Sequence, residues 1–177
     1  MIVATNQYIT FQLDDEIYAL DVAHAREIVD VPRLTRMPNS PPWIRGVMNL
    51  RGSVVPVIDL KHKFEMGTTE VTQRSCVLIV EFEFEHAIFV IGVLVDAVLA
   101  VFELAPEQLE APPKFGARYS RKYLKGMGRR DDRVFMVLEA NEVFADVEVE
   151  VDETQAAADL AAQAGNEPAP NEATDAI

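Results

Sequence analysis

Along residues 8–20, "YITFQLDDEIYAL", side chains alternate: Ile9, Phe11 and Leu13 fall on one face and Tyr8, Thr10 and Gln12 on the other. The pair Asp14-Asp15 interrupts the run, so the stretch predicts strand, tight turn, strand. Residues 26–31, "REIVDV", predict a further strand, stopped by Pro32. The stretch "PNSPPWIR" has turn chemistry, with a single helical turn capped by Ser40. Residues 46–60, "GVMNLRGSVVPVIDL", are apolar and β-branched except for a polar break at "NLRG", which predicts a hairpin folded at that point. "DLKHKF" then predicts a short helix. After the polar connector 65–74 the strand pattern resumes with "SCVLIVEFEFEHAIFVIGVLVDAVLAV". The run 87–102 is shorter than the ~20 residues of a membrane span and holds Asp96, so it reads as two short buried strands around a bend. A proline-flanked connector, "APEQLEAPPKFG", leads to "KYLKGMGRRDDRVFMVLEANEVF", the last strands and a helical end. Strands of about five residues between turns predict an all-β protein of small barrels or sandwiches.

The hairpin has a copy. Residues 44–64, "IRGVMNLRGSVVPVIDLKHKF", align without a gap on 124–144, "LKGMGRRDDRVFMVLEANEVF", with Gly46 on Gly126, Val54 on Val134, Val57 on Val137 and Phe64 on Phe144. Upstream, "YALDVAHAREIVDV" runs alongside "FVIGVLVDAVLAV" in apolar pattern. The expectation is a duplicated chain in which each half closes into its own small barrel, hiding its edges. The first barrel would take about residues 7–64, completed by about 140–150, and the second about 73–139. At the turns, Leu50-Arg51-Gly52-Ser53 corresponds to Arg130-Asp131-Asp132-Arg133.

Charge sharpens the division. The 177 residues carry a net charge of −13. From Asp146 to Ile177 there are nine acids and no Lys or Arg; the remainder has 20 acids against 16 bases. That mixed surface suits protein partners and argues against nucleic acid, which needs a basic face. Residues 1–150 are the expected domain and 151–177 an acidic tail, expected to be disordered apart from a marginal helix in "DETQAAADLAAQAG". No secretory segment opens the chain, and one cysteine permits no intrachain disulfide, so a reducing cytoplasm is expected.

Catalytic chemistry has little footing. His24, His62 and His86 are scattered without metal-ligand spacing, and no phosphate-cradling glycine loop occurs. Cys76, His86 and Asp96 offer a weak alternative, a thiol-dependent enzyme, but a lone cysteine in a strand-rich stretch is usually a buried small hydrophobe.

The pattern "GVxNLRGxVxPVxDL", its partner ending "YLKGMGRRDDRVFMVLEANEVF", the opening "YITFQLDDEIYALDVAHAREIVD" and the connector "LAPEQLEAPPKF" resemble the CheW-type coupling proteins of bacterial chemosensory systems, over about residues 7–145. That resemblance implies two five-stranded SH3-like barrels packed together, with no catalysis and no cofactor. It implies an adaptor that binds the cytoplasmic tips of chemoreceptors and the regulatory domain of a CheA-type histidine kinase, in the cytoplasm at membrane-associated receptor arrays. Within the family, the arginine of the NLRG turn and the glutamate of the third strand belong to a receptor-binding groove between the barrels. These are Arg51 and Glu27 here, with Asn49 and Gly46 beside them. The aromatic of the "PxF" connector joins kinase and array contacts, which places that role on Phe115, with Lys114 where an acid is common. Two further departures are Ala97, where a glycine is usual after Asp96, and the acidic tail.

Overall fold

A computed structural model describes residues 5–112 and 122–147. Ten strands form two five-stranded sheets. They are β1 (Asn6–Leu13), β2 (Glu16–Asp21), β3 (Ala25–Asp30), β4 (Ile44–Leu50), β5 (Ser53–Asp59), β6 (Cys76–Phe84), β7 (Ala87–Val95), β8 (Ala97–Leu104), β9 (Leu124–Arg130) and β10 (Arg133–Leu138). Short helices α1 (Leu60–Lys63) and α2 (Ala140–Val143) follow β5 and β10, eighty residues apart like the hairpins they terminate. The turn at Asp14-Asp15, the strand before Pro32, the hairpin at Arg51-Gly52 and the bend at Asp96 stand where the residue pattern predicts. The helical turn at Ser40 does not form; its hydroxyl donates to the Met37 carbonyl at 2.8 Å within a turn.

Sheet membership corrects the expected barrels. One sheet has the order β8-β1-β2-β10-β9 and the other β3-β6-β7-β5-β4. Each half of the sequence therefore gives its first two strands to one sheet and its last three to the other, and neither half closes on itself. The crossing points explain why. Only Asp96 separates β7 from β8, and a single residue cannot make the two-residue loop that an antiparallel hairpin needs. The chain bends at Asp96 without folding back, so β7 pairs with β6 and β5 while β8 pairs with β1 across the molecule. Between β2 and β3, a 3-10 turn over Val22–His24, capped by Asp21, carries the chain across in the same way.

The sheets curl into SH3-like barrels, and the closures repeat. Beyond edge strand β3, Thr35 exchanges two backbone hydrogen bonds with Val47 of the opposite edge, β4, at 2.9 and 2.8 Å. Beyond β8, Glu110 does the same with Met127 of β9, at 2.8 Å each way. Glycine is required at the first closure: Gly46 has φ +148°, and a Cβ there would stand 2.5 Å from the Thr35 carbonyl oxygen.

Side chains alternate between cores. On β6, Val77 and Ile79 point into their own barrel with Val57 and Leu94. Leu78 and Val80 point the other way, into the largest cluster, which lies between the barrels and takes Phe11 and Leu20 from one sheet and Ile58 and Val93 from the other. Helix α2 seals that cluster with Val143 and Phe144, both fully buried. The second barrel's interior is small, filled by Tyr8, Ala19, Phe135 and Val137.

Candidate functional site

The β4–β5 hairpin turns on two residues, with Leu50 paired to Ser53. Arg51 has φ +50° and Gly52 φ +89°, the twist that a type I′ turn shares with the strands it joins. Asn49 fixes the turn: its Oδ1 accepts the Gly52 backbone N–H at 2.8 Å. Arg51 thus projects from a rigid tip, 73% exposed, and its Nη2 pairs with the Glu27 carboxylate on β3. Those residues come from opposite ends of the strand order, so the ion pair bridges the two margins of one curled sheet. The equivalent turn in the second hairpin, Asp131 (φ +49°) and Asp132 (φ +63°), has the same shape with the opposite charge.

Beneath Arg51 and Glu27 lies an open groove of about 740 Å³, with Arg26, Val54, Ile88 and Val90 among its lining residues. All its lining comes from one barrel. Ile88 is 67% exposed, Ile28 on neighbouring β3 48%, and Val54 37%. The groove combines exposed apolar side chains, Val54 and Ile88, with the charged pair Arg51 and Glu27. The sequence held a signal for Ile88. In "EFEFEH" the acids Glu81 and Glu83 continue the face of β6 that Val77 and Ile79 bury, and Ile88 lies directly opposite Glu83, past the end of that core.

Of the predicted site residues, the fold brings Glu27, Asn49 and Arg51 together. Gly46 is not among the groove's lining and serves the barrel closure. Phe115 and Lys114 lie outside the described residues. The Cys76–His86–Asp96 constellation does not assemble. Cys76 and His86 stand at opposite ends of the nine-residue strand β6, roughly 25–30 Å apart at the rise of a strand. The Cys76 thiol is buried, and burial pushes its pKa up, away from the reactive thiolate. Asp96 is engaged elsewhere: its Oδ2 accepts the Asp14 N–H at 2.7 Å and stands 3.5 Å from the Lys61 ammonium. The described residues hold no cluster of His, Cys, Asp and Glu suited to a metal ion.

Two intertwined small barrels, one of them carrying an open groove rimmed by Arg51 and Glu27, define the architecture. Comparison with known proteins gives the family. The CheW-like domain profile matches residues 7–148. The chain is 31% identical to the chemotaxis protein CheW of Klebsiella aerogenes over 143 residues, 81% of this chain and 84% of that protein. It is 29% identical to a probable chemotaxis protein CheW of Rhizobium etli, covering 81% and 90% of the two chains. The crystal structure of the scaffolding protein TtCheW from Thermoanaerobacter tengcongensis superposes with a TM-score of 0.69 at 30% identity, over 80% of this chain and 88% of that one. This chain belongs to the CheW-like domain family.

Proposed function

We propose that this protein is the non-catalytic adaptor of a bacterial chemosensory array, coupling methyl-accepting chemoreceptors to a CheA-type histidine kinase. The observation that carries the receptor assignment is the Arg51–Glu27 pair, held on a tight turn beside an open groove that also exposes Val54 and Ile88. A helical receptor tip presents apolar ridges flanked by polar groups, and such a groove accepts the ridge while Arg51 sets its register. Glu27 orients Arg51 until a receptor carboxylate or carbonyl takes its place. Asn49 holds the turn, and Gly46 acts on the site only through the barrel that carries it. The kinase's regulatory domain is assigned to the other barrel, which exposes the apolar side chains of Leu99 and Val101 on β8 and of Val134 on β10. Phe115, with Lys114 beside it, is assigned to array contacts as an aromatic anchor. Among the described residues no helix is long and apolar enough to cross a membrane, so recruitment to the membrane is assigned to the receptors. The test is co-sedimentation of the protein with receptor signalling domains and with the kinase regulatory domain, separately and together. Binding to both partners supports the reading, and binding to neither removes it.

A further inference from the structure

The bases of this chain are unevenly placed. Residues 114–133 hold eight of the 16, against two acids, whereas 1–113 hold eight against 16 acids. Residues 148–177 hold eight acids and no base, and five of those acids, Glu148, Glu150, Asp152, Glu153 and Asp159, fall within its first twelve residues. The segment 114–133 is thus the part of the chain that attracts the acidic C-terminal segment; the rest of the body, on balance, repels it.

The fold places the two side by side. Val147 is fully buried, its N–H bonded to the Phe144 carbonyl at 3.1 Å, which fixes where the C-terminal segment leaves the body. Asp146 is tied at 2.8 Å to the Lys63 ammonium, which lies 5.9 Å from the centre of the Tyr123 ring. Lys122 and Tyr123 lead directly into β9, so the exit adjoins the root of that strand. From there exposed bases follow the strand: Lys122 and Lys125 near its root, then Arg129 on one face and Arg130 on the other, with Arg133 directly opposite Arg130 on β10 and the Arg130 guanidinium 3.9 Å from the centre of the Phe102 ring. Like charges facing across a strand pair repel, and Arg133 has no acidic partner among the described residues. The nearby acids are Glu110, 3.3 Å from Arg129, and the turn residues Asp131, 3.9 Å from Arg130, and Asp132, which leaves an excess of positive charge. From Lys122 to Arg130 the strip runs about 25 Å, and twelve residues of chain reach up to about 40 Å.

We propose that the acidic segment beginning at Glu148 docks on its own β9–β10 basic strip as an intramolecular strap, with residues 148–159 over Lys125, Arg129, Arg130 and Arg133. The strip is thereby screened from acidic partners at low ionic strength and opened by salt or by a more highly charged competitor.

Zero-length carbodiimide coupling of the full-length protein, read by peptide mass spectrometry, tests this. Links from Lys122 or Lys125 to acids in 148–159 are expected in the monomer fraction at low salt, falling at least fivefold in 0.5 M NaCl. The variant Arg129→Gln/Arg130→Gln/Arg133→Gln, which retains every lysine and carboxylate that can be coupled, is expected to lose the links to a similar degree. All three arginines are exposed, but Arg130 stacks on Phe102 and Arg129 pairs with Glu110, so its melting temperature should fall by a few degrees at most. If the variant fails to fold, the salt titration of the wild type decides alone. Links confined to the dimer fraction would show a second copy as the occupant and overturn the strap. Absent links, or links insensitive to salt, would overturn it as well.

Discussion

Replacing Arg51 by asparagine separates docking from folding at the site. Arg51 occupies the left-handed region at φ +50°, which costs a side chain with a Cβ on the order of 1 kcal/mol, and asparagine tolerates that region better. The substitution also creates Asn-Gly, the dipeptide favoured at both positions of a type I′ turn. What is lost is one ion pair to Glu27, whose arginine is 73% exposed; screened by water, such a pair is worth about 0–1 kcal/mol. The two effects nearly cancel or leave a small gain, so the Arg51→Asn melting temperature should lie within about 4 °C of the wild type, on the same or the higher side. Receptor affinity should respond differently. Removing a charge-assisted contact at an interface costs ~2 kcal/mol or more, about 30-fold in Kd. Isothermal titration with a receptor signalling fragment and with the kinase regulatory domain, beside thermal melts, makes the comparison. The expected pattern is weakened receptor, unchanged kinase and an intact fold. A variant that melts well below the wild type while binding receptor normally would refute the assignment, since Arg51 would then be a structural residue of the turn.

Gly46→Ala should destabilise the protein by roughly 2 kcal/mol or more, because the new Cβ meets the Thr35 backbone at the barrel closure. Gly52→Ala, also at positive φ but with nothing within 4 Å, should cost only about 1 kcal/mol; chemical denaturation of both checks the ordering. Asp59 is fully buried and accepts from Arg45 (3.0 Å), the Thr69 N–H (2.9 Å) and the Thr69 hydroxyl (2.8 Å). Asp59→Ala strands those donors and should cost about 3 kcal/mol, with amide exchange rising first in the 65–74 connector. Stability should fall on the alkaline side. Burial raises the pKa values of Cys76 and Tyr18 above their ordinary 9.0 and 10.0, and the hydrogen bond to Asp14 raises that of Lys61 above 10.5. Each folded pKa exceeds its unfolded one, so each contribution is complete below the unfolded value and is lost as pH rises through the folded value. Denaturant melts from pH 8 to 11 should show the loss beginning near pH 9, and Cys76→Ala should move its onset upward.

The residues legible in the sequence were those whose role is local. The β4–β5 turn, its copy eighty residues on, both helices and the bend at Asp96 are dictated by neighbours along the chain: a polar break between apolar runs, an aspartate before a short helix. The exchange of strands between barrels is not local. Strand β6 is apolar on both faces because Val77 and Ile79 fill one core while Leu78 and Val80 fill another. A strand with two apolar faces carries no alternation to say which neighbour it prefers. What decides the partner is the connection after β7. With Asp96 alone between the strands, the chain cannot fold back, and the aspartate is held in place as it crosses, its N–H bonded to the Gln12 carbonyl at 3.1 Å and its carboxylate to the Asp14 N–H. Ala97, where the family favours glycine, is 4% exposed and already paired with Gln12, so the crossing needs no glycine freedom there. The groove was only half visible for the same reason. Arg51 announces itself as a charge in a turn, whereas Val54, Ile88 and Glu27 converge only once β3, β5 and β7 lie in one curled sheet. The exchange has a mechanical consequence for an adaptor. Each barrel contains strands from both halves, and the largest core lies between them, so neither barrel can loosen without disturbing its neighbour. A partner bound at the Arg51 groove and another on the second barrel are therefore joined through one continuous apolar core, a rigid connection suited to holding two partners at a fixed geometry.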